Sequence, residues 1–371
     1  MKLVFFITTL LGGGAEKVLS DLVVNLDKSK YDITVITLFN KGVYIDKIKD
    51  KVKYRYVFNI KGPKILDKIK YKLGISYFRY FSPKFLWMFC VHRKYDVEVA
   101  FMEGISTKII SGSINSKSKK LAWIHTDFNI NSESNAQFHN FKDQFKSYSK
   151  FDKIICVSNR TKEAFEERFK IPVQVQYNIL NEHEIIAKSQ EQPDEKGLFD
   201  KFTVISVGRL TQEKGFDRLM HVHKKMIKEG FDYNLLIVGE GAEKILLEKI
   251  IDENGLNDSV KLLGFKTNPY KYMARSDLFV CSSFVEGFST AATEAIILGI
   301  PVLTTDCSGM HDLLGDSEYG LITENTEEAL YEGLKSLLED KNKYINYKNK
   351  AKERSKFFTL SKRIEEIEKL F

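Results

Sequence analysis

The stretch LFVCSSFVEGFSTAATEAIILGIPVLT, residues 278–304, decides the fold because it holds a complete β–α–β unit. Residues 278–281 and 301–304 are short apolar runs, and a helix opens between them near residue 291. The runs are apolar throughout rather than alternating, which is typical of strands buried on both faces of a parallel sheet. This stretch therefore predicts a parallel sheet with helices packed on its faces.

The same alternation of apolar runs and amphipathic segments extends through both halves of the chain. Strands are predicted at residues 3–7, 33–38, 52–57, 97–101, 120–124 and 153–157, and again at 202–207, 234–238, 260–263, 278–281 and 301–304. Helices are predicted near residues 15–26 and 217–229. The pattern favours two doubly wound α/β domains, and 371 residues exceed what one core usually serves.

The expected domain boundaries lie where this pattern stops. Residues 182–200 are polar, contain Pro193 and lack an apolar period, so we expect a linker there. The domains would then cover residues 1–181 and 201–350. The charged segment 351–371 is expected to form a C-terminal helix, for which packing back on the N-terminal domain is one option.

Composition bounds the class of protein. With 43% hydrophobic and 29% charged residues, the chain is neither disordered nor fibrous. The net charge of +7 suits nucleotides, nucleic acid or an acidic membrane surface without choosing among them. The four cysteines form no CxxC pair, which argues against a zinc site or a disulfide framework. We expect a cytosolic protein with reduced cysteines and no signal peptide or spanning helix.

A glycine-rich turn, GGGAE at residues 12–16, lies between the first predicted strand and helix. Gly13 and Gly14 would let the backbone approach a ligand and expose helix N–H groups to an anion. The turn lacks the G-x-G-x-x-G spacing of a dinucleotide site and the Lys-Ser/Thr pair of a P-loop. A tight turn without a ligand is the alternative.

A phosphate site is predicted where SVGRLTQEKG, residues 206–215, leaves a strand. Arg209 and Lys214 lie at the carboxyl end of that strand, where ligands bind in open α/β sheets. A diphosphate has enough negative charge to engage both the planar guanidinium and the compact ammonium. Two solvated loop cations are the alternative, which the flanking glycines disfavour.

The most specific motif lies after the strand at 278–281, where Glu286 and Glu294 are separated by seven residues. N–H groups at the start of the following helix would face a phosphate or a sugar; the residues concerned are Gly287, Phe288, Ser289 and Thr290. Glu294, about one turn into the helix, can accept two hydrogen bonds from a ribose diol. Taken alone, Glu294 could instead satisfy the helix dipole, but that would not explain Glu286.

Taken together, these motifs resemble glycosyltransferase family 4, the retaining GT-B group within glycosyl transferases group 1. The matching pieces are GGGAE at 12–16, WIHTD at 123–127, CVSN at 156–159, YNILN at 177–181, SVGRLTQEKGFD at 206–217, IVGEG at 237–241, LLGF at 262–265 and SSFVEGFSTAATEAIILGIPVLTTDCSG at 282–309. The resemblance implies an α/β GT-B fold of two Rossmann-like doubly wound domains that face each other across a cleft. The N-terminal domain would bind the acceptor and the C-terminal domain the donor nucleotide.

The resemblance also implies roles for single residues of the N-terminal domain. Gly13 and Gly14 match the loop that lies against the donor diphosphate. His125 matches the histidine near the donor sugar. From its position after an apolar strand alone, His125 could equally be a core histidine.

In the C-terminal domain, the resemblance assigns Arg209 and Lys214 to the donor phosphates. It assigns Glu294 to the ribose and Glu286 to the sugar hydroxyls. The remaining matches are the sugar- and phosphate-contacting backbone at Gly287, Phe288 and Ser289, with Thr290 next to it, and the base-contacting strand end at Gly264 and Phe265.

The expected mechanism follows from charge. Breaking the bond between the anomeric carbon and phosphate places negative charge on the leaving diphosphate, which Arg209, Lys214 and helix N-termini would stabilise. No acidic pair with DxD spacing is placed to hold a metal, so we expect no metal and no cofactor. No nucleophile in the sequence demands a double displacement, which favours front-face attack assisted by the departing phosphate.

Residues 61–94 are basic and aromatic and are the expected membrane-binding segment. The cations are Lys61, Lys64, Lys68, Lys70, Lys72, Arg79, Lys84, Arg93 and Lys94, and the aromatics are Tyr71, Tyr77, Phe78, Tyr80, Phe81, Phe85, Trp87 and Phe89, against the single acid Asp67. This composition is typical of a segment that faces anionic lipid. The alternative is that the aromatics pack inward. Nucleic acid is not an expected partner, since no nucleic-acid motif accompanies the charge.

The sequence thus predicts a hexosyltransferase that moves a hexose or N-acetylhexosamine from a nucleotide-sugar, with UDP as the expected nucleotide. The expected acceptor is a growing, lipid-linked glycan of capsule, exopolysaccharide or lipopolysaccharide synthesis. The enzyme would be cytoplasmic and peripheral at the inner membrane face. Alternatives are a soluble or protein acceptor, or a non-catalytic GT-B partner subunit. A nicotinamide dehydrogenase is disfavoured because the dinucleotide motif is absent.

Overall fold

The computed structural model describes residues 1–59, 78–128 and 137–371. The chain divides into two compact units. The N-terminal unit comprises Met1–Leu180 and Ser361–Phe371, and the C-terminal unit comprises Asn181–Leu360.

The N-terminal unit is built on a parallel sheet of seven strands in the order β3-β2-β1-β4-β5-β6-β7. Its strands are β1 Lys2–Ile7, β2 Asp32–Phe39, β3 Lys53–Phe58, β4 Val97–Ala100, β5 Lys119–Ile124, β6 Lys153–Cys156 and β7 Gln174–Val175. The described helices before residue 180 are α1 Gly14–Asn25, α2 Ile45–Ile48, α3 Pro83–Cys90, α4 Ile105–Ile110, α5 Phe141–Tyr148 and α6 Asn159–Phe169.

The C-terminal unit is built on a second parallel sheet, of six strands, in the order β10-β9-β8-β11-β12-β13. Its strands are β8 Thr203–Val207, β9 Asn234–Val238, β10 Val260–Gly264, β11 Leu278–Cys281, β12 Val302–Thr305 and β13 Leu321–Thr323. The helices from residue 181 onward are α7 Glu182–Ser189, α8 Phe216–Lys228, α9 Lys244–Glu253, α10 Tyr270–Met273, α11 Thr290–Ile297, α12 Met310–Leu314, α13 Glu327–Glu339, α14 Lys341–Ser355 and α15 Leu360–Glu368.

The predicted pair of doubly wound parallel sheets is confirmed. The central strands are buried on both faces, as their apolar runs indicate: Leu3 through Ile7 in β1 are fully buried, and so are Val204 and Ile205 in β8. Two edge strands, β7 and β13, were not predicted. The last strand predicted in the second sheet, β12, is therefore not its edge strand; β13 is. Strands β7 and β13 have two and three residues, which is too short for a recognisable apolar run.

The expected linker 182–200 is ordered structure of the C-terminal unit. It begins with α7, which buries Ile185. Further along, the Asp194 carboxylate accepts from Lys271 at 3.0 Å and the Glu195 carboxylate accepts from Tyr272 at 2.6 Å. Long-range ion pairs therefore hold a segment that has no apolar period of its own.

The charged C-terminal segment is two helices rather than one. Helix α14 begins well before residue 351 and ends at Ser355, where the chain turns and buries Phe358. Helix α15 follows and, except for its first residue, lies in the N-terminal unit. No helix within the described residues has the length and apolar character needed to cross a membrane.

Candidate active site

The order of strands reverses once within each sheet, between β1 and β4 and between β8 and β11. Ligands of open α/β sheets bind at the carboxyl ends of the strands at such a switch point. In the C-terminal unit, the segment leaving β8 carries Arg209 and Lys214, and the segment leaving β11 carries Glu286. The topology thus brings three of the predicted site residues to one edge of one sheet.

Lys214 and Glu286 form an ion pair at this edge, with 2.5 Å between Nζ and Oε1. The two side chains are 21% and 10% exposed. Burial opposes the charge on Lys214, but the attraction of the Glu286 carboxylate outweighs it and raises the pKa of the lysine. Lys214 therefore stays protonated, and its ammonium is available to a phosphate that replaces the carboxylate.

The Glu286 carboxylate has a second donor within its own loop. Ser283 Oγ donates to Oε1 at 2.7 Å, and Cys281 Sγ lies 3.8 Å from the same oxygen. This loop-internal hydrogen bond and the Lys214 ammonium hold the carboxylate from two sides. Ser283 is a site residue that sequence reasoning missed.

Arg209 is exposed directly after β8. Within the described parts of the chain, no carboxylate lies at ion-pair distance from its guanidinium. Its charge acts on Lys214 and partly offsets the rise in the pKa of that lysine. Two cations therefore share this edge, and only one of them has a carboxylate partner.

The close approach of these two loops depends on Gly215. This residue has φ +59°, in the left-handed region, and a Cβ here would run into the carbonyl oxygen of Ser282. The Ser282 hydroxyl also donates to the Lys214 carbonyl at 2.9 Å. Glycine at position 215 thus lets the loop with Lys214 lie against the loop with Glu286.

Arg218 on α8 is a second residue that sequence reasoning missed. It is only 4% exposed, and its guanidinium donates to the carbonyls of Ser282 and Ser283, each at 2.7 Å. It also lies 3.8 Å from the centre of the Phe284 ring. Arg218 therefore fixes the backbone of the loop that carries Glu286. It is one of several basic residues in an amphipathic helix, and the sequence gives no signal of that role.

Glu294 lies on α11 and is buried, at 5% exposed. The phenolic oxygen of Tyr270 donates to its carboxylate at 3.1 Å. Ser289 caps this helix by accepting from the amide of Ala292 at 3.3 Å. Glu294 thus lies just past the first turn of α11, and Tyr270, another residue missed from the sequence, orients its carboxylate.

The predicted base-contacting residues lie at the carboxyl end of β10, where Gly264 is the last residue of the strand and Phe265 follows it; β10 is two strands away from β8. Gly264 has φ +69°, and its carbonyl accepts from the amide of Gly239 at 2.9 Å. Phe265 is 49% exposed. An aromatic face is thus open to solvent at the same carboxyl edge as Arg209.

In the N-terminal unit, Gly13 is the N-cap residue of α1 and has no side chain with which to cap the first N–H groups of the helix. His125 follows β5, and burial lowers its pKa to about 3. Its ring lies 5.2 Å from that of Phe101, and among the described residues its buried Nε2 has no hydrogen-bond partner. His125 is therefore a neutral imidazole with an unsatisfied ring nitrogen.

Glu103, in the loop after β4, was also missed from the sequence. Its carboxylate accepts from the backbone amide of His125 at 3.0 Å. Burial raises its pKa, while the hydrogen bond from the His125 amide acts in the opposite direction. Glu103 thus ties the segment carrying His125 to the neighbouring strand end at the switch point of this sheet.

The segment 61–94 is described only from residue 78, so its members at 61–77 lie outside the described residues. Phe85 and Phe89 on α3 are half exposed. Phe78 and Trp87 are 6% and 3% exposed and belong to the core, where Trp87 Nε1 donates to Glu98 at 2.8 Å. For these two residues the alternative of inward packing is observed, since Trp87 lies on the buried face of α3.

The described part of the chain contains no group of three or more His, Cys, Asp or Glu side chains that could hold a metal ion. All four cysteines are free and buried.

Comparison with known proteins gives a consistent picture. The chain is 38% identical over 216 residues to the Campylobacter jejuni N-acetylgalactosamine-N,N'-diacetylbacillosaminyl-diphospho-undecaprenol 4-alpha-N-acetylgalactosaminyltransferase, a match that covers 57% of each protein. The chain thus spans just over half the length of this relative. It is also 25% identical over 368 residues to an uncharacterised Haemophilus influenzae glycosyltransferase, with 98% of both chains covered.

Among solved structures, Anabaena HepE in complex with UDP-glucose superposes with a TM-score of 0.76 at 19% identity. The match covers 100% of this chain and 98% of HepE. The model of the family glycosyl transferases group 1 matches residues 188–354, which include Arg209, Lys214, Glu286 and Glu294. The chain has the GT-B fold, and its segment 188–354 is similar to the glycosyl transferases group 1 family.

Proposed function

We propose that this chain is a retaining glycosyltransferase that moves a hexose or N-acetylhexosamine from a UDP-sugar to a growing, lipid-linked glycan. Capsule, exopolysaccharide or lipopolysaccharide synthesis is the setting we propose. The observation that carries the proposal is the Lys214–Glu286 ion pair beside the exposed Arg209 at a switch point. Two cations and one carboxylate at a sheet edge suit a diphosphate joined to a sugar.

The proposed mechanism begins with exchange of partners. The donor diphosphate replaces Glu286 at Lys214, and the freed carboxylate accepts hydrogen bonds from the sugar hydroxyls. When the bond from the anomeric carbon to the phosphate oxygen breaks, Arg209 and Lys214 stabilise the charge that develops on the leaving diphosphate. The acceptor hydroxyl attacks the same face of the sugar, and the departing phosphate oxygen takes its proton.

For the N-terminal unit, we propose donor-binding roles for His125, Gly13 and Gly14. With its pKa lowered to about 3, the imidazole of His125 is uncharged at neutral pH. It can therefore exchange a hydrogen bond with a sugar hydroxyl through Nε2 without placing a positive charge near the anomeric carbon. The glycine-capped start of α1 offers N–H groups to the diphosphate.

Donor and acceptor chemistry are supported by the relatives. HepE was solved with UDP-glucose, which favours a UDP-sugar as the donor. The Campylobacter relative is named for a diphospho-undecaprenol acceptor, which favours a lipid-linked acceptor here. We place the chain in the cytoplasm, peripheral at the inner membrane face, with residues 61–94 as the contacting segment and without nucleic acid as a partner.

A panel of UDP-, GDP- and ADP-sugars tests the proposal. We expect slow release of free nucleoside diphosphate from one UDP-sugar, and faster release when a polyprenyl-diphosphate-linked glycan is added. Stimulation by a soluble glycan or a protein instead would identify a different acceptor. Absence of both turnover and binding with every donor would rule out the enzyme and leave the non-catalytic subunit.

A further inference from the structure

The protein holds the Glu286 carboxylate by only one of its two oxygens. Oε1 pairs with Lys214 Nζ at 2.5 Å, accepts from Ser283 Oγ at 2.7 Å and lies 3.8 Å from Cys281 Sγ. Among the described residues, Oε2 has no hydrogen-bond or ion-pair partner, and it is not a buried atom. One oxygen is therefore occupied by the protein, and the other is open to a ligand.

We propose that Ser283 is the positioning residue for Glu286 in the donor complex. The Ser283 hydroxyl keeps its hydrogen bond to Oε1 when the donor diphosphate takes the place of Glu286 at Lys214. The carboxylate then accepts, through Oε2 alone, from one hydroxyl of the donor sugar. These two assignments rest on the proposed function, and they add a residue that acts through Glu286 and the number of sugar hydroxyls that Glu286 binds.

The backbone of Ser283 is fixed by three donors from three different segments. Its carbonyl accepts from the Arg218 guanidinium at 2.7 Å, from Thr305 Oγ1 at 2.6 Å and from Cys307 Sγ at 2.9 Å. The whole residue is buried. None of these donors lies in the loop that carries Lys214, so Ser283 stays in place when the lysine turns to a phosphate.

The side chain of Ser283 is also held in the orientation that reaches Glu286. Cys281 Sγ donates to Ser283 Oγ at 3.4 Å. Burial and the Glu286 carboxylate raise the pKa of the Cys281 thiol, which therefore stays protonated and remains a donor. A serine hydroxyl has a single proton, and here that proton is donated to Oε1.

This second donor matters when Glu286 changes partners. A diphosphate competes with the carboxylate for the Lys214 ammonium, because both are anions that form charge-assisted hydrogen bonds. A carboxylate without the lysine and without another donor would rotate, and ordering it again would cost part of the affinity gained from the sugar. The hydrogen bond from Ser283 keeps the carboxylate ordered through the exchange.

A single open oxygen limits what the carboxylate can bind. Two neighbouring hydroxyls of a sugar ring are best matched by two carboxylate oxygens, one for each hydroxyl. Because Oε1 already accepts from Ser283, Glu286 is expected to accept from one sugar hydroxyl through Oε2. The donor must therefore be a sugar with a free hydroxyl at the ring position that faces Oε2, and replacing that hydroxyl by fluorine should weaken binding.

Calorimetric titration of the full-length protein with UDP and with a UDP-sugar tests the role of Ser283. The UDP-sugar is the one hydrolysed fastest among UDP-glucose, UDP-galactose, UDP-N-acetylglucosamine and UDP-N-acetylgalactosamine. In Ser283→Ala, the Kd for the UDP-sugar should rise about tenfold while the Kd for UDP stays within about twofold of wild type, because the serine acts through the carboxylate that binds the sugar. An equal loss of affinity for both ligands would overturn the proposal.

Ser276→Ala is the matched control. Ser276 is a buried serine of the same unit, and its hydroxyl donates to the Tyr272 carbonyl at 3.0 Å, before the start of β11 and away from the carboxyl ends of the strands. The variant removes the same group and should change neither Kd. A rise in the Kd for the UDP-sugar in this variant as large as that in Ser283→Ala would count against a specific role for Ser283.

Two further variants keep the test decisive. If Ser283→Ala does not fold, Ser283→Cys keeps nearly the same size with a weaker donor, and it should still raise the Kd for the UDP-sugar and not that for UDP. In a Glu286→Ala background, adding Ser283→Ala should change the Kd for the UDP-sugar by less than about twofold, since the residue through which the serine acts is gone. A full loss in that background would show that Ser283 acts by another route.

Deoxyfluoro analogues of the same UDP-sugar count the hydroxyls that Glu286 binds. Fluorine has no proton to donate, so an analogue fluorinated at the position facing Oε2 should bind wild type about tenfold more weakly than the parent UDP-sugar. That penalty should disappear in Glu286→Ala and shrink in Ser283→Ala. Two ring positions whose penalties both disappear in Glu286→Ala would show that both oxygens bind the sugar and would refute the single open oxygen.

The same measurements separate the role of Ser283 from the proposed function. Binding of UDP and turnover of a UDP-sugar, with equal Kd values in wild type and Ser283→Ala, would defeat the role of Ser283 and leave the proposed enzyme intact. Absence of binding and turnover with all four UDP-sugars would defeat both.

Discussion

At the scale of single residues, variants of Lys214 and Glu286 can separate the contribution of their ion pair to stability from its proposed contribution to catalysis. Replacing Lys214 by Met leaves the Glu286 carboxylate, 10% exposed, without its cation. We expect K214M to lose about 1–3 kcal/mol of unfolding free energy in chemical denaturation and the double variant K214M/E286Q to regain most of it. Both variants should lose donor turnover by at least a hundredfold.

A K214M protein as stable as wild type would contradict the ion pair. Turnover restored in K214M/E286Q would show that the pair has only a structural role. Glu213→Gln, in the same 3₁₀ turn, is the matched control and should change neither quantity.

Glu294 is expected to bind the donor ribose, with Tyr270 orienting it. Glu294→Ala should raise the apparent KM for the donor 10- to 100-fold with a smaller effect on kcat, because about 1.5–3 kcal/mol of hydrogen bonding to a charged group is lost. Tyr270→Phe removes only the 3.1 Å hydrogen bond and should raise KM up to about tenfold. Unchanged donor kinetics in Glu294→Ala would end the ribose assignment.

His223 gives the folded protein a predictable pH dependence. It is fully buried, and burial lowers its pKa from 6.5 to about 4. As pH falls below 6.5, His223 binds a proton in the unfolded chain, whereas in the folded state it stays neutral until the pH approaches 4. The stability present above pH 6.5 is therefore lost as pH falls towards 4, at up to about 1.4 kcal/mol per pH unit.

Urea denaturation between pH 7 and pH 4 measures this slope. His223→Gln should reduce the slope of stability against pH. The contribution of His125, whose pKa is lowered in the same direction, should remain in that variant. His183, whose side chain is 82% exposed, is the control position. An equal slope in wild type and His223→Gln would contradict the prediction.

At the scale of elements, Arg218 joins helix α8 to the loop after β11. Removing the guanidinium in Arg218→Met takes away the donor to the Ser282 carbonyl and leaves the Ser283 carbonyl with only the side chains of Thr305 and Cys307 as donors. We expect a loss of about 2–4 kcal/mol in stability and a raised donor KM, because the loop carrying Glu286 loosens. Arg218→Lys should recover part of both, since an ammonium reaches one carbonyl but cannot form the fork.

Hydrogen exchange distinguishes loosening of the loop that carries Glu286 from a general loss of stability. Amides at residues 282–289 should exchange faster in Arg218→Met even under conditions where the strands of the C-terminal sheet remain protected. Uniform acceleration across the whole unit would indicate that Arg218 acts on the core and not on this loop.

At the scale of the whole molecule, the last residues of the chain belong to the N-terminal unit. The Phe371 ring packs on Phe5 and Tyr31 at 6.1 and 5.8 Å, and Lys119 Nζ donates to the Phe371 carbonyl at 2.7 Å. Deleting residues 361–371 should therefore destabilise the N-terminal unit by about 3 kcal/mol or more, since Ile367 and Leu370 are also buried.

Tryptophan fluorescence reports this effect selectively. Both tryptophans of the chain, Trp87 and Trp123, lie in the N-terminal unit. The fluorescence midpoint in urea should fall in the truncated protein, while hydrogen exchange of β8 and β9 in the C-terminal unit stays near wild type. Glu365→Ala is the exposed control within the same helix. A fall in the C-terminal unit alone would contradict the assignment.

Part of the candidate site was predictable because it is written in short motifs. Arg209, Lys214 and Glu286 each lie shortly after the end of an apolar strand, and Glu294 lies in the helix that follows Glu286. Their placement at strand ends follows from the strand–helix alternation alone. The switch-point position follows only from the order in which the strands pair.

The residues that hold these side chains in place could not be found this way. Tyr270 is 24 residues from Glu294, and Arg218 is 64 residues from Ser282. The sequence did not show that Trp87 packs inward, because a short helix rich in aromatic residues has no clear polar side. Such contacts depend on which surfaces meet after folding, and the local spacing of residues in the sequence does not predict which surfaces meet.

The sequence by itself determined the parallel α/β class, the motifs that carry charge to the strand ends and the likeness to glycosyl transferases group 1. These features are local, since burial on both faces makes a strand apolar throughout and a phosphate site needs glycine and cations close together. The tertiary structure decided which loops pair through Lys214 and Glu286, which aromatics of α3 remain exposed, and that the last helix joins the first unit. These outcomes depend on packing between segments that are far apart in the chain. The energies of burial and of ion pairs there depend on which segments are close together in the folded protein.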